Sequence, residues 1–288
     1  MLGRSFTKTV LFSCLFLFLI ACNPIKEKTS SKIIKKSFFS KELGKNIAYN
    51  VYLPKGYKNK KQFPILYLLH GHGGNENSWV DANGGNIKKN LDSLIHHKII
   101  PAMVAVTMDA GNSWYVNSQL KMENAYLNEF MPLVESEFKI DTNLHSRYMA
   151  GYSMGGFGAL RFALLKPELF NAVLLLSPAA YYPSPPKNSS SRKIEVFKKE
   201  GVFNTSVWQS YAYPNLFKVM GEQEYYPKFY ISSGDDDEFN IVDVAISLRT
   251  FFINNNIKQE LTIINGKHNW QVWNYCFKND ISRAFTVN

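Results

Sequence analysis

RYMAGYSMGGFGALRFALL, residues 147–165, joins two kinds of element around one serine. Residues 147–152 are a short, β-rich apolar run of the sort found in strands buried on both faces. Residues 154–165 read as a helix that stops at Pro167. Ser153 stands at the junction, with Gly151 and Gly155 two residues away on either side. Taken alone, the pattern G-x-S-x-G would arise by chance in roughly one chain of this size in ten. Its place on a strand–turn–helix gives it weight. A serine held on so sharp a turn needs neighbours without side chains, and Gly156, Gly158 and Ala159 keep the helix start slim against the sheet. The helix N-terminus directs free N–H groups and a positive dipole end toward the serine.

The same alternation continues in both directions. "SFFSKELGKNIAYNVYLP" predicts two strands around a glycine turn. "FPILYLLHG", "PAMVAVTMDAG", "NAVLLLSPAA", "KFYISSGD" and "ELTIING" are further short apolar runs. Between them, "NIKKNLDSLIHH", "LKMENAYLNEFMPLVESEF" and "NIVDVAISLRTFFINNN" carry apolar residues at helical spacing. Strands alternating with helices predict an open, mostly parallel α/β sheet with helices on both faces. Residues 181–225 break the rhythm: "YYPSPPKNSSSR" is loop-like, and the aromatic-rich stretch after it is expected to cover one rim of the sheet. Residues 36–288 are expected to form one domain containing this excursion.

A serine hydroxyl needs a base, and the base needs an orienting acid. The strand–turn–helix around Ser153 is the setting of the nucleophile elbow in α/β-hydrolases, where acid and then histidine follow on loops after later strands. His268 is the only histidine downstream of Ser153. Asp235, Asp236 and Asp237 all follow the next-to-last strand. Asp237, three residues past Gly234, is preferred by position, and the other two read as turn-capping or solvated. The oxyanion formed by attack needs preorganised N–H donors. The backbone N–H of Met154 is one, and the loop "LLHGHGGNENSW" offers that of His72, with His70 bracing the loop. His70, His72, His96 and His97 lack cysteine or carboxylate partners at chelating spacing, so no metal site and no cofactor is expected.

"YLLHGHGGNENSW", "MDAGNSWY", "AGYSMGGFGAL", "SSGDDD" and "GKHNWQVW" together resemble the esterase D type of esterase. That group of α/β-hydrolases includes tributyrin esterases, S-formylglutathione hydrolases, feruloyl and acetyl xylan esterases, and mycolyltransferases. The likeness runs from about residue 40 onward and implies hydrolysis of a carboxylic ester through an acyl-enzyme. It further implies that Trp79, Trp114 and Tyr115 line a substrate pocket, with Trp270 beside the base. It assigns no role to Glu123.

Net charge is +10, but the excess sits in scattered runs such as "KNKK" and "FKK" without interleaved stacking aromatics. That pattern reads as solvated surface, not as a nucleic-acid interface. Residues 1–21 hold a basic start and the apolar run "VLFSCLFLFLI", which resembles a lipoprotein signal peptide ending in "LIAC". Cleavage would leave Cys22 to carry lipid and residues 22–35 as a polar tether, with the protein exported and anchored to a bacterial membrane. An uncleaved anchor helix would tether it equally. Only Cys276 then remains in the folded part, so no internal disulfide is available. Export disfavours a cytosolic thioester substrate and favours acetyl or feruloyl esters of polysaccharide. A siderophore-type lactone, acyl transfer, and a hydrolase fold kept only for binding are the other readings open from sequence.

Overall fold

A computed structural model of the chain describes residues 1–3 and 30–286. The expected signal run, the expected lipidation site Cys22 and most of the expected tether lie outside the described residues. In chain order the strands are β1 (Lys32–Ser40), β2 (Lys45–Leu53), β3 (Ile65–Leu69), β4 (Val104–Met108), β5 (Arg147–Tyr152), β6 (Ala172–Leu176), β7 (Lys198–Lys199), β8 (Val202–Phe203), β9 (Lys228–Gly234) and β10 (Gln259–Ile264). Eight of them form one sheet in the order β1-β2-β4-β3-β5-β6-β9-β10, and β7 pairs only with β8. β2 runs antiparallel to both β1 and β4; every pairing from β4 to β10 is parallel. The chain leaves β3, β5, β9 and β10 at one edge, where ligands bind in open α/β sheets.

The helices are α1 (Ile87–His96), α2 (Met122–Asn124), α3 (Met131–Glu137), α4 (Met154–Leu165), α5 (Thr205–Tyr211), α6 (Tyr213–Met220), α7 (Ile241–Asn254) and α8 (Trp270–Thr286). Alternation along the strands divides the core in two. Ile65, Tyr67 and Leu69 of β3 belong to the face of the sheet that α4 and α7 cover, while Leu66 and Leu68 belong to the face that α1 and α8 cover. Helices therefore cover both faces, and the central strands are fully buried, which is why they read as unbroken apolar runs.

Three elements differ from the sequence reading. β1 begins at Lys32, inside the stretch expected to be tether, because an edge strand can expose its lysines and still pair along its length with β2. "LKMENAYLNEFMPLVESEF" is one helical path interrupted by a π turn at Ala125–Phe130, just ahead of Pro132, which has no N–H to donate. Within the excursion, Trp208 of α5 buries its ring among Trp114, Phe157 and Phe197, at centroid distances of 5.8, 5.4 and 4.8 Å. Its Nε1 donates to the Tyr181 carbonyl. The Arg192 guanidinium donates to the carbonyls of Pro185 and Pro186 and lies over Phe203, fixing the loop-like part. Among the described residues, no helix is long and apolar enough to cross a membrane.

Candidate active site

β5 ends at Tyr152, and Ser153 turns the chain into α4 with φ 55° and ψ −119°. A left-handed φ at a serine costs about 1–3 kcal/mol and persists only where its surroundings enforce it. Ser153 N–H donates to Leu176 O, and its carbonyl accepts from the N–H groups of Phe157 and Ala179. The two flanking glycines are demanded by contact. A Cβ on Gly151 would strike the Gly155 carbonyl, and one on Gly155 would strike the Leu69 carbonyl. The close approach of α4 to β3 and β5 thus exists only with glycine at both places. Met154, the first residue of α4, has no intrahelical acceptor for its N–H.

The loops after β9 and β10 are knitted together beside the sheet edge. Asp235 Oδ1 accepts from Gly266 N–H, and Asp236 N–H donates to Gly266 O. Of the three aspartates, Asp237 turns inward, with a side chain fully removed from solvent. Its Oδ2 lies 2.6 Å from His268 Nδ1, and its Oδ1 accepts from Phe239 N–H at 3.1 Å. A carboxylate only accepts, so Nδ1 carries the imidazole proton and Nε2 is left with a lone pair. The ring is gripped edge-to-face by Phe239 and Trp273, at 4.9 and 5.0 Å. His268 N–H donates to Glu238 Oε2, and that carboxyl sits below its ordinary pKa because backbone N–H groups, its own first and then that of His268, bond to its charged form. Ser153 Oγ and His268 are not hydrogen-bonded to each other; such contacts commonly tighten when substrate binds.

The loop after β3 lies against the elbow. Gly71 sits on the Tyr152 ring, where a Cβ would stand 2.5 Å from Cε2. His70 is buried, its Nδ1 donating to Gly71 O at 2.8 Å and its Nε2 accepting from Ala110 N–H at 3.0 Å. Burial lowers its pKa, in keeping with a neutral ring that donates on one side and accepts on the other. Tyr115 Oη donates to His70 O, Trp79 Nε1 to Leu69 O, and Gly73 N–H to Asn112 Oδ1. Among the described residues, no acceptor is bonded to the His72 N–H. The His72 side chain is exposed, and its pKa is lowered by partial desolvation and then by the Lys193 charge.

The aromatics expected to line a pocket lie deeper. Trp79, Trp114 and Tyr115 are 0–1% exposed and make their contacts with other core rings. Their destination is the layer beneath the site, because each is needed to fill space behind the loop it belongs to. Trp270 is half-buried, 4.5 Å from Tyr152 and 5.2 Å from Trp273. Glu123 pairs with the buried Arg161 at 2.7 Å, away from the serine turn. The residues that sequence reasoning passed over are Asn112, Glu238 and Trp273. Each lies within or beside a quoted block, but only tertiary contact reveals that it positions the β3 loop or the imidazole. Among the described residues, no three His, Cys, Asp or Glu side chains gather as a metal-ligand set.

A parallel sheet whose carboxyl edge presents such a serine turn beside a histidine–aspartate loop pair is the framework of an α/β-hydrolase, and the class is that of the serine esterases. Residues 40–284 match the family described as "Putative esterase", and the chain belongs to it. It is 34% identical over 179 residues to an endo-1,4-beta-xylanase/feruloyl esterase of Xylanibacter ruminicola, covering 58% of this chain but only 24% of that protein. It is 28% identical to an acetyl esterase of Caldicellulosiruptor saccharolyticus over 84% of this chain and 94% of that one. A solved ferulic acid esterase superposes with a TM-score of 0.73 at 25% identity, covering 89% of this chain and 98% of the other. The S-formylglutathione hydrolase of Staphylococcus aureus shares the fold with a TM-score of 0.71 at 18% identity, over 88% and 98% of the two chains. The chain is a carboxylesterase.

Proposed function

We propose that this carboxylesterase works outside the cytoplasm, removing acetyl or feruloyl groups from polysaccharide through an acyl-enzyme on Ser153. The observation that carries the reading is the 2.6 Å contact between His268 Nδ1 and Asp237, on loops that share the sheet edge with the Ser153 turn. Ser153 Oγ attacks the ester carbonyl and His268 Nε2 takes its proton. Asp237 holds the other imidazole proton and stabilises the positive ring. The backbone N–H groups of Met154 and His72 receive the oxyanion. On collapse, His268 gives its proton to the departing alcohol. Water then attacks the acyl-enzyme, His268 taking its proton and returning it to Ser153, so that acid and free enzyme remain. Trp270, half-buried beside this loop, is the aromatic best placed to meet substrate.

The named activities of the acetyl esterase and of the xylanase/feruloyl esterase support the choice of ester. The basic and apolar start ending in "LIAC" supports export with a lipid on Cys22. The test is turnover of p-nitrophenyl acetate, methyl ferulate and acetylated xylan by the protein and by Ser153→Ala. Release of acetate or ferulate that disappears in the variant is expected. Turnover that survives the substitution, or none on any member of the panel, would refute the reading.

A further inference from the structure

One cavity among the described residues lies away from the serine edge. It is a groove of about 830 Å³ at the opposite, amino end of β6, β9 and β10, lined among others by Tyr225, Tyr226, Asn256 and Gln259. At about 3.3 Å per residue, the length of β6 alone separates it from the serine edge by roughly 16 Å. Nothing in the ester chemistry uses it.

Its lining is selective in kind. Tyr225 and Tyr226 are half-buried, and both rings are fixed before any ligand arrives. Tyr225 Oη donates to Phe170 O at 3.0 Å, while Tyr226 stacks on Phe217 and accepts from Gln223 N–H. Fixed tyrosine rings offer apolar area at little entropic cost. Around them stand uncharged amides. Asn256 is exposed on a left-handed turn at φ 55°, and its side-chain amide makes no hydrogen bond among the described residues. Gln259 Oε1 is buried with no partner, a cost that a ligand hydroxyl would relieve. The charges nearly cancel: Lys228 is paired with Glu260 at 2.5 Å, and Lys258 is offset by Glu222 and Glu224. A polyanion finds no net positive charge there. A neutral ligand with apolar faces and a fringe of hydroxyls fits both the rings and the amides, and the volume lies in the range that encloses a small organic ligand.

We propose that this groove binds neutral oligosaccharide, gripping a stretch of the polymer whose esters are cleaved at the other end of the sheet. The assignment of xylan as that polymer rests on the function proposed above. The test is calorimetric titration of the full chain with xylohexaose, which carries no ester, alongside p-nitrophenyl acetate turnover by the same preparations. Asn256→Gly removes the amide while suiting the left-handed backbone, and Tyr225→Ala removes a ring. Each is expected to weaken xylohexaose binding by about tenfold or more, with turnover of the small ester changed by less than about twofold. Ser153→Ala is expected to bind as the parent does and to turn over nothing. Absence of binding heat at millimolar sugar, or unchanged affinity in both groove variants, would overturn the inference while leaving the ester chemistry standing. Serine-independent turnover would overturn the functional reading instead.

Discussion

Replacing Asp237 by asparagine tests the electrostatics of the site with almost no change in shape. The two oxygens of Asp237 have different duties: Oδ2 receives the His268 Nδ1 proton, and Oδ1 receives the Phe239 N–H. An asparagine has one acceptor and one donor. If its oxygen keeps the Phe239 bond, its NH₂ faces Nδ1, which must then give up its proton; the imidazole proton moves to Nε2, and the ring can no longer accept from serine. If the amide flips, the ring keeps the right tautomer but NH₂ abuts the Phe239 N–H inside a fully buried site. Leaving that donor unpaired costs about 1–3 kcal/mol. That penalty alone reduces the productive population by about 5- to 150-fold. The neutral amide also fails to stabilise the imidazolium, and the proposed role of Asp237 predicts a combined loss of about 10⁴ in kcat, the size the same exchange has in a Ser-His-Asp protease. Asp235→Asn is the comparison, since its oxygen can still accept from Gly266 and it does not touch His268. The assay is kcat and KM on p-nitrophenyl acetate, with thermal melts to confirm folding. A folded Asp237→Asn that keeps more than about a tenth of parental kcat would refute the reasoning, as would an equal fall in Asp235→Asn.

Three further outcomes follow from the packing. His70 has a pKa depressed by burial, so below about pH 6.5 the unfolded chain takes up a proton that the folded chain refuses, and stability present above that value is lost on acidification. Asp280, raised by burial to about 6, acts in the opposite sense, so His70→Gln is compared with the parent by urea melts at about pH 7.5 and about pH 5.5: the variant should lose less stability, and an identical loss would count against a neutral buried ring. Gly155→Ala drives a Cβ into the Leu69 carbonyl and should destabilise by at least about 1–3 kcal/mol, seen as a lowered Tm or loss of soluble protein; an unchanged Tm would mean α4 can retreat from β3. Trp208→Ala removes the ring that docks the excursion on Trp114 and Phe157 and should cost about 3–5 kcal/mol, with early proteolysis between residues 181 and 220 as its local signature.

The central strands β3, β4 and β6 were legible because each is buried on both faces and so carries almost no polar position to obscure it. The serine turn was legible because backbone contact at Gly151 and Gly155 admits no side chain, and that constraint is written directly in residue type. The elements that escaped notice are those whose burial is mixed. α8 hides Trp273, Cys276 and Phe277, but its inner face also carries Asp280, held by Arg283 at 2.5 Å, and that charge interrupts the apolar stripe a helix reading relies on. β1 escaped in part because Lys32, Lys35 and Lys36 stand among its nine residues, where an edge strand can expose them. Trp79, Trp114 and Tyr115 show the limit for the site itself. An aromatic beside a catalytic block can face substrate or fill the layer beneath it, and only the packing of distant segments such as Trp208 and Phe277 decides which. Glu238 and Asn112 were invisible for a related reason: each acts through one hydrogen bond to a backbone amide on another loop.

The most direct test is to find which side chain takes the covalent group. The protein is incubated with a fluorophosphonate, and the adduct is mapped by peptide mass spectrometry in the parent, Ser153→Ala and Asp237→Asn. The expected result is a single modified peptide bearing the adduct on Ser153, no adduct in Ser153→Ala, and slowed labelling in Asp237→Asn. An adduct on any other residue, or ester turnover by a folded protein that takes no label, would contradict it.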